Sequence, residues 1–469
     1  MERHFEHIIV LMLENRSFDH VFGFLKHSKK FNGLTGQEYN PKTKLDNTKI
    51  YVNKSDKPYI EPDPPHSHAE VMQQIDLGLG SKNDGFVHAF LEKQKLRGGA
   101  SKAEEIMSVL DPTTSKKCGF IMAELAKRFV LCDNYFSSVP GETWPNRNYI
   151  QAATSHGEVD IKLKFYTDET VYERLAKNGH TWQIYHDGVP QTWAFPKLWF
   201  LSKGGFRHFD HFAADVKNDR LANYTFIEPK HFSLGGNTNN MHPGNNSTDR
   251  DTDFKAAENL VAYIYNLLNT NKKVFNKTLF IVTFDEHGGF YDHVEPPACV
   301  PPDTYINNGS QFKFDKLGIR IPTILISNKF KTSHVDSTLY DHSSVVKSVL
   351  QNFGINSSLT ERDKNANNII EPNILQRKKN NLPDVQSHII APTFSVRGDT
   401  TEPEPNEFQK ELMELAANVD QVMDPNYDKV MSNIKALNQP IVRGSSTKTD
   451  AAVDIRAVEQ KFTAMYGKE

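Results

Sequence analysis

The chain has 469 residues, of which 38% are hydrophobic and 24% charged, and its 55 Lys and Arg against 58 Asp and Glu leave a net charge of −3. That apolar content excludes a wholly disordered chain, and the near balance of charge gives no electrostatic case for a nucleic-acid binder. The longest apolar run near the start, Ile8 to Leu13, is far short of the ~20 residues of a spanning helix and short for a signal peptide, so the chain as it stands reads as cytoplasmic or peripheral to a membrane, or as secreted if a leader has been removed.

In chain order, brief runs rich in Ile, Val and Phe read as buried strands: His7–Leu13, Arg128–Phe136, Trp182–His186, Tyr224–Glu228, Leu279–Phe284 and Ile319–Ser327. Helical patterns fall between them at Lys102–Arg128 and Asp253–Leu268. This alternation implies an α/β fold with a mostly parallel sheet covered on both faces. Residues 31–85 show little periodicity and read as a long functional insertion near the site, and Gly235–Asp251 has the same character. Residues 362–383 are polar and Asn-rich, and three helix-like stretches follow at about 405–419, 427–438 and 450–465. The expected division is a catalytic domain over 1–358 and a smaller, mostly helical appendage over 359–469. Cys118, Cys132 and Cys299 form no CxxC and allow at most one bridge.

Glu14, Asp133, Glu228 and the pair Asp285-Glu286 each stand at or just past the end of a predicted strand, the edge at which open α/β sheets bind ligands. In Glu14-Asn15-Arg16-Ser17-Phe18-Asp19-His20 a strand delivers a carboxylate beside a carboxamide, hard oxygen ligands suited to a divalent cation. Glu14 as a cap, or as a partner of Arg16, is the plain alternative. In Asp285-Glu286-His287-Gly288-Gly289-Phe290-Tyr291-Asp292-His293 the adjacent acids repel unless a cation or proton compensates them, and the glycines allow close approach of backbone to a ligand. In Gly141-Glu142-Thr143-Trp144-Pro145-Asn146-Arg147 a hydroxyl stands where a helix starts. Its free amides favour an anion such as phosphate, and the alternative for Thr143 is a simple cap. His66, His68, His242 and His342 lie in turn-rich segments, as satisfied surface histidines or as a phosphate clamp or general acid.

These motifs, occurring in one order, resemble those of the phosphoesterase family that contains bacterial and plant non-specific phospholipases C and a bacterial acid phosphatase. The resemblance covers about residues 5–350 and includes Thr-Ser-His-Gly at 154–157, Pro-Asp-Pro-Pro-His-Ser at 62–67 and Leu-Gly-Ile-Arg-Ile-Pro at 317–322. It implies an alkaline-phosphatase-like three-layer sandwich and a hydroxyl nucleophile that forms a covalent phospho-enzyme. Thr143 matches the nucleophile. Glu14, Asn15, Asp285 and Glu286 match a metal cluster for one divalent ion. His242 matches the His-Pro position of the phosphate pocket, with Asn146, His66 and His342 on the substrate side and His242 or His287 protonating the leaving alkoxide. Two departures stand out: Met241-His242-Pro243-Gly244-Asn245-Asn246 lacks the second histidine and acid of the plant enzymes, and Glu142 sets a negative charge beside Thr143.

The expected activity is phospholipase C-type cleavage of a glycerophospholipid to diacylglycerol and a phosphorylated head group. The alternatives are an acid phosphatase acting on soluble phosphomonoesters and a non-catalytic lipid- or phosphate-binding protein. No sulfatase-like modified-cysteine motif surrounds any of the three cysteines. Peripheral membrane contact is expected from Phe195–Phe200, Phe206–Phe212 or the helices after 405, unless these stretches are core.

Overall fold

The computed structural model describes residues 3–28, 30–60, 63–80, 83–96, 102–112, 120–232, 238–243, 250–306, 311–371, 374–375, 405–437 and 454–467. Gly244–Asn246, Cys118, most of 235–251, 376–383 and the ends of two C-terminal helical stretches lie outside these described residues.

The central sheet contains β1 (His7–Leu13), β2 (Val130–Cys132), β3 (Trp182–His186), β4 (Gly204–His208), β5 (Tyr224–Ile227), β6 (Thr278–Phe284), β7 (Thr323–Ile326) and β8 (His334–Asp336), in the order β8-β2-β7-β6-β1-β5-β3-β4. Only β7 runs against its neighbours, antiparallel to both β6 and β2. Every residue of β1, β5, β6 and β7 is buried, as continuous apolar strands must be when layers cover both faces. Register then sets the site. Leu13 lies opposite Phe284, and Leu11 opposite Ile227, so Glu14, Asp285 and Glu228 leave three adjacent strands at the same carboxyl edge.

The helices used below are α1 (Phe18–Phe22), α2 (His68–Ile75), α3 (Phe86–Leu96), α4 (Phe120–Arg128), α5 (Thr143–Ala152), α6 (Val171–Lys177), α7 (Arg250–Thr270), α8 (His342–Asn352), α9 (Glu407–Val422), α10 (Tyr427–Leu437) and α11 (Ile455–Tyr466). α4 packs on α7, while α5 packs on α6 and α8. The C-terminal helices share the core of the sheet layer: Phe462 stacks on Trp193 at 4.0 Å, and Tyr466 lies 5.3 Å from Trp199.

Several expectations change. Lys102–Arg128 is not one helix: a 3-10 turn at Ala103–Glu105 and a strand at Ser108–Leu110 precede α4. Ser108–Leu110 pairs with Asn53–Ser55 of the insertion, a partner that local periodicity does not reveal. Arg128–Phe136 yields only the short β2, because Arg128 ends α4 and Tyr135 and Phe136 make isolated bridges. Phe195, Leu198, Trp199, Phe206, Phe209 and Phe212 are buried, so these stretches are core and form no exposed rim. The insertion has its own small core, in which Ile50, Val71, Ile75 and Phe86 meet Phe290 from the loop after β6. Cys132 and Cys299 are free thiols. No helix among the described residues is long and apolar enough to cross a membrane.

Candidate active site

Three carboxylates at the sheet edge share one guanidinium. Arg147 sends Nε to Asp285 Oδ2 at 3.1 Å, Nη1 to Glu228 Oε2 at 2.6 Å and Nη2 to Glu14 Oε1 at 3.1 Å, and all four side chains are buried. Burial alone would make the guanidinium easier to deprotonate, but Glu228, Asp285 and Glu14 hold its pKa above the usual range. Glu14 Oε1 also faces His231 Nδ1 at 2.9 Å, and its Oε2 accepts from Asn240 Nδ2 at 2.8 Å. Burial opposes a charge on His231, yet Glu14 and Glu228 raise its pKa. Burial, with the charges of Glu14 and Glu286, pushes Asp285 up to about 8 against the pull of Arg147. The edge therefore gathers more carboxylates than cations, and Asp285 tends to hold a proton there.

Glu142 precedes α5 in extended conformation as its N-cap, Thr143 is the first helical residue, and Pro145 falls in the first turn, where a missing N–H costs nothing. Thr143 Oγ1 donates to Asn15 Oδ1 at 3.4 Å. Asn15 sits at φ +58, a left-handed conformation that asparagine tolerates, and its N–H donates to Asp285 Oδ1 at 3.0 Å. The turn is crowded from the other side. A Cβ on Gly288 (φ +63) would stand 2.3 Å from Asn15 O, and one on Gly289 (φ +75) 2.4 Å from Pro65 O. The two glycines thus admit the chain's own backbone.

His66 completes this corner. Its Nδ1 donates to Pro64 O at 2.8 Å, and its Nε2 lies 3.5 Å from Asn15 Nδ2. Burial works against protonation, but Glu286, Asp63 and Glu142 outweigh it and push the imidazole up to about 9. Glu142 accepts from Ile161 N, and burial raises it to about 7 despite that bond and the His66 charge.

The other expected residues have different surroundings. His242 lies 6.5 Å from His66, ring to ring, and its N–H donates to Asn240 Oδ1 at 3.1 Å. His287 is pinned, with Nε2 donating to Gln74 Oε1 at 2.8 Å and Nδ1 3.2 Å from Glu286 Oε2, and burial lowers its pKa. His342 Nε2 donates to Asp285 O at 2.7 Å, and burial pushes its pKa down to about 4. Asn146 is turned onto the loop before Thr143, bonding Val139 N and the carbonyls of Val139, Gly141 and Glu142 at 3.1 Å each. The structure therefore brings Glu14, Asn15, Thr143, Asp285 and His66 together, with His242 beside His66, and keeps Asn146 and His342 as braces. Sequence reasoning placed Glu228 at the ligand-binding edge but missed Arg147, His231 and Asn240 as site residues. Arg147 was readable as the residue one turn after Thr143. His231 and Asn240 carry no local signal.

Cation-binding capacity is present in more than one place. Glu286 Oε1 is buried without a hydrogen-bond partner, an oxygen donor of the kind that suits a hard divalent ion, whereas the oxygens of Glu14 and Asp285 already meet Arg147, His231, Asn240 and the Asn15 N–H. Among the described residues, the ligand atoms of Asp63, His66 and His242, and those of Asp19, Asp292 and His293, also lie within 4.8 Å of one another. The latter group is already bridged by Arg320, 2.8 Å from Asp19 and 3.1 Å from Asp292.

The pattern of the Phosphoesterase family matches residues 5–356. Non-specific phospholipase C6 of Arabidopsis thaliana is 33% identical over 443 residues, covering 87% of this chain and 80% of that protein. Non-specific phospholipase C1 of the same plant is 32% identical over 439 residues, covering 87% and 78%. Non-hemolytic phospholipase C of Pseudomonas aeruginosa is 26% identical over 412 residues, covering 75% and 54%. A solved structure of a protein in the alkaline phosphatase superfamily from Vibrio parahaemolyticus superposes with a TM-score of 0.36 at 10% identity, covering 76% of this chain and 68% of that one.

Proposed function

Because the chain belongs to the phosphoesterase family, we propose that it is a phospholipase C that cleaves glycerophospholipids on the glycerol side of the phosphate, with Thr143 as nucleophile. The observation that carries this reading is the placement of the Thr143 hydroxyl. It stands at the N-terminal end of buried α5, 3.4 Å from Asn15, at the sheet edge where Glu14 and Asp285 emerge. Free amides at a helix start attract phosphate, and a buried hydroxyl held there is oriented for in-line attack.

In the first step Thr143 Oγ bonds to phosphorus and the bond from phosphorus to the glycerol oxygen breaks. The Thr143 proton goes to the carboxylate cluster behind Asn15, and the departing alkoxide takes a proton from His66 Nε2, leaving as diacylglycerol. In the second step water attacks phosphorus and returns its proton to His66. The Thr143–phosphorus bond breaks, Thr143 recovers its proton from the cluster, and the phosphorylated head group leaves. His66 is the better acid, because its neighbouring carboxylates keep it protonated near neutrality, whereas His287 is pinned and has a lowered pKa. A divalent cation, held by Glu14, Asn15, Asp285 and Glu286, would supply positive charge to the phosphate oxygens.

The test is product analysis on phosphatidylcholine vesicles with wild-type and Thr143→Ala protein. Diacylglycerol is expected from wild type alone. Equal diacylglycerol from the variant would remove Thr143 from the mechanism. Orthophosphate from soluble monoesters, with no diacylglycerol from lipid, would favour a phosphatase.

A further inference from the structure

The insertion contains one element that the proposed chemistry does not use. Tyr39–Pro41 and Lys49–Tyr51 form an antiparallel hairpin, with Tyr39 opposite Tyr51 and Pro41 opposite Lys49. Its loop is braced internally: Lys42 N donates to Thr48 O at 2.9 Å, Thr43 N to Asp46 O at 3.0 Å and Asp46 N to Thr43 Oγ1 at 3.0 Å. This ordered turn holds Leu45 98% exposed at its apex. A leucine fixed in water contributes nothing to the core, so folding does not account for it. Below it Tyr39 and Tyr51 meet ring to ring at 5.6 Å, yet remain 42% and 46% exposed. Lys49 Nζ lies 4.2 Å from the centre of the Tyr39 ring, and Lys42 and Lys44 flank the apex. The turn at Gly78 comes close to the Lys44 side chain, and next to it Leu79 is 39% exposed.

The hairpin is rooted on the site's side of the sheet. Asn40 Nδ2 donates to Asn83 O at 2.9 Å, while Asn83 Nδ2 donates to Asp292 O at 2.8 Å and Val294 O at 2.9 Å. Asp292 and Val294 belong to the loop leaving the carboxyl end of β6, the same end that delivers Asp285 and Glu286. On the far side of the hairpin, Pro58 O accepts from Arg16, two residues after Glu14.

An apolar apex, amphipathic tyrosines below it and lysines around it match the layers of a lipid–water interface. We propose that the hairpin at residues 39–51 docks the protein on phospholipid membranes, with Leu45 entering the acyl boundary and Lys44 and Lys49 meeting lipid phosphates. The proposal rests on the phospholipase reading for its purpose, but its test does not. Asp46, the acid beside the apex, is 3.5 Å from Lys42, which leaves Lys44 and Lys49 to face anionic lipid.

The experiment is co-sedimentation with vesicles of phosphatidylcholine, with and without phosphatidylserine, in a Thr143→Ala background so that lipid is not consumed. Binding is expected to strengthen with phosphatidylserine, and Leu45→Glu should weaken it about tenfold or more, since each buried leucine is worth at least one such factor. In a wild-type background Leu45→Glu should leave turnover of short-chain phosphatidylcholine, used below its micelle threshold, unchanged. Unaltered vesicle binding by Leu45→Glu would overturn the proposal, as would failure of the Thr143→Ala parent to bind either vesicle. Absence of short-chain turnover in wild type would count against the phospholipase reading alone, because binding is read without chemistry.

Discussion

Arg147 follows Thr143 by one turn of α5, and its guanidinium is bonded to Glu14, Glu228 and Asp285 from three adjacent strands. One rigid helix thus fixes the hydroxyl and the strand-end acids relative to one another. Replacing Arg147 by Met strands three buried carboxylates, which should cost about 3–5 kcal/mol of unfolding free energy. Arg147→Lys keeps the charge but not the three-way fork, and should fall between. Urea unfolding of both variants checks this. A loss below about 1 kcal/mol for Arg147→Met would mean that the carboxylates find other partners.

His66 as proton donor makes a leaving-group prediction. His66→Gln should lower turnover of natural lipid by about 10²–10⁴-fold. A nitrophenyl phosphodiester, whose leaving group needs no proton, should lose far less. Equal losses on the two substrates would assign His66 to binding.

Glu142 helps to hold the proton on His66. Removing that charge in Glu142→Gln lowers the His66 pKa, so the alkaline limb of the turnover profile should move to lower pH, by about one unit or less. A shift to higher pH would contradict the coupling.

Glu286 Oε1, buried and without a hydrogen-bond partner, is expected to bind metal. Chelator-treated protein should take up Mn²⁺, read as loss of the free-ion electron paramagnetic signal, and Glu286→Gln should weaken that uptake about tenfold or more. Uptake unchanged in the variant would place the ion elsewhere.

His342 links pH to stability. Its pKa is lowered to about 4, against about 6.5 in the unfolded chain. Between these values the unfolded state binds more protons, so stability rises with pH and is lost as pH falls from about 6.5 to 4. The stability advantage of wild type over His342→Asn should shrink across that window by an amount on the order of 2–3 kcal/mol. A difference that stays constant with pH would refute the assignment.

The readable strands were those in the middle of the sheet. β1, β3 and β6 stand as continuous or nearly continuous apolar runs because layers cover both of their faces. β4 and β8, absent from the sequence reading, are the two edges of the sheet. An edge strand needs less apolar content, and Gly-Gly-Phe-Arg-His and His-Val-Asp carry little. The site divides in the same way. Glu14 and Asp285 were legible because they end strands, and Thr143 because it starts a helix. The ties of Arg147 to those acids were not, since Glu228 and Asp285 lie 81 and 138 residues further along the chain. His231 reaches Glu14 only through a loop fold that no local pattern specifies.

Phe408 on α9 places its ring 5.4 Å from the Arg147 guanidinium and 5.0 Å from His231, and Gln409 Nε2 donates to His231 O at 2.6 Å. Both residues lie beyond the stretch that matches the family, which ends at 356. During synthesis the strands, Thr143 and the acids would all have left the ribosome well before this cover was made. A chain that stops near 356 lacks Phe408 and Gln409, so this wall of the centre is built from residues made later than every group it covers.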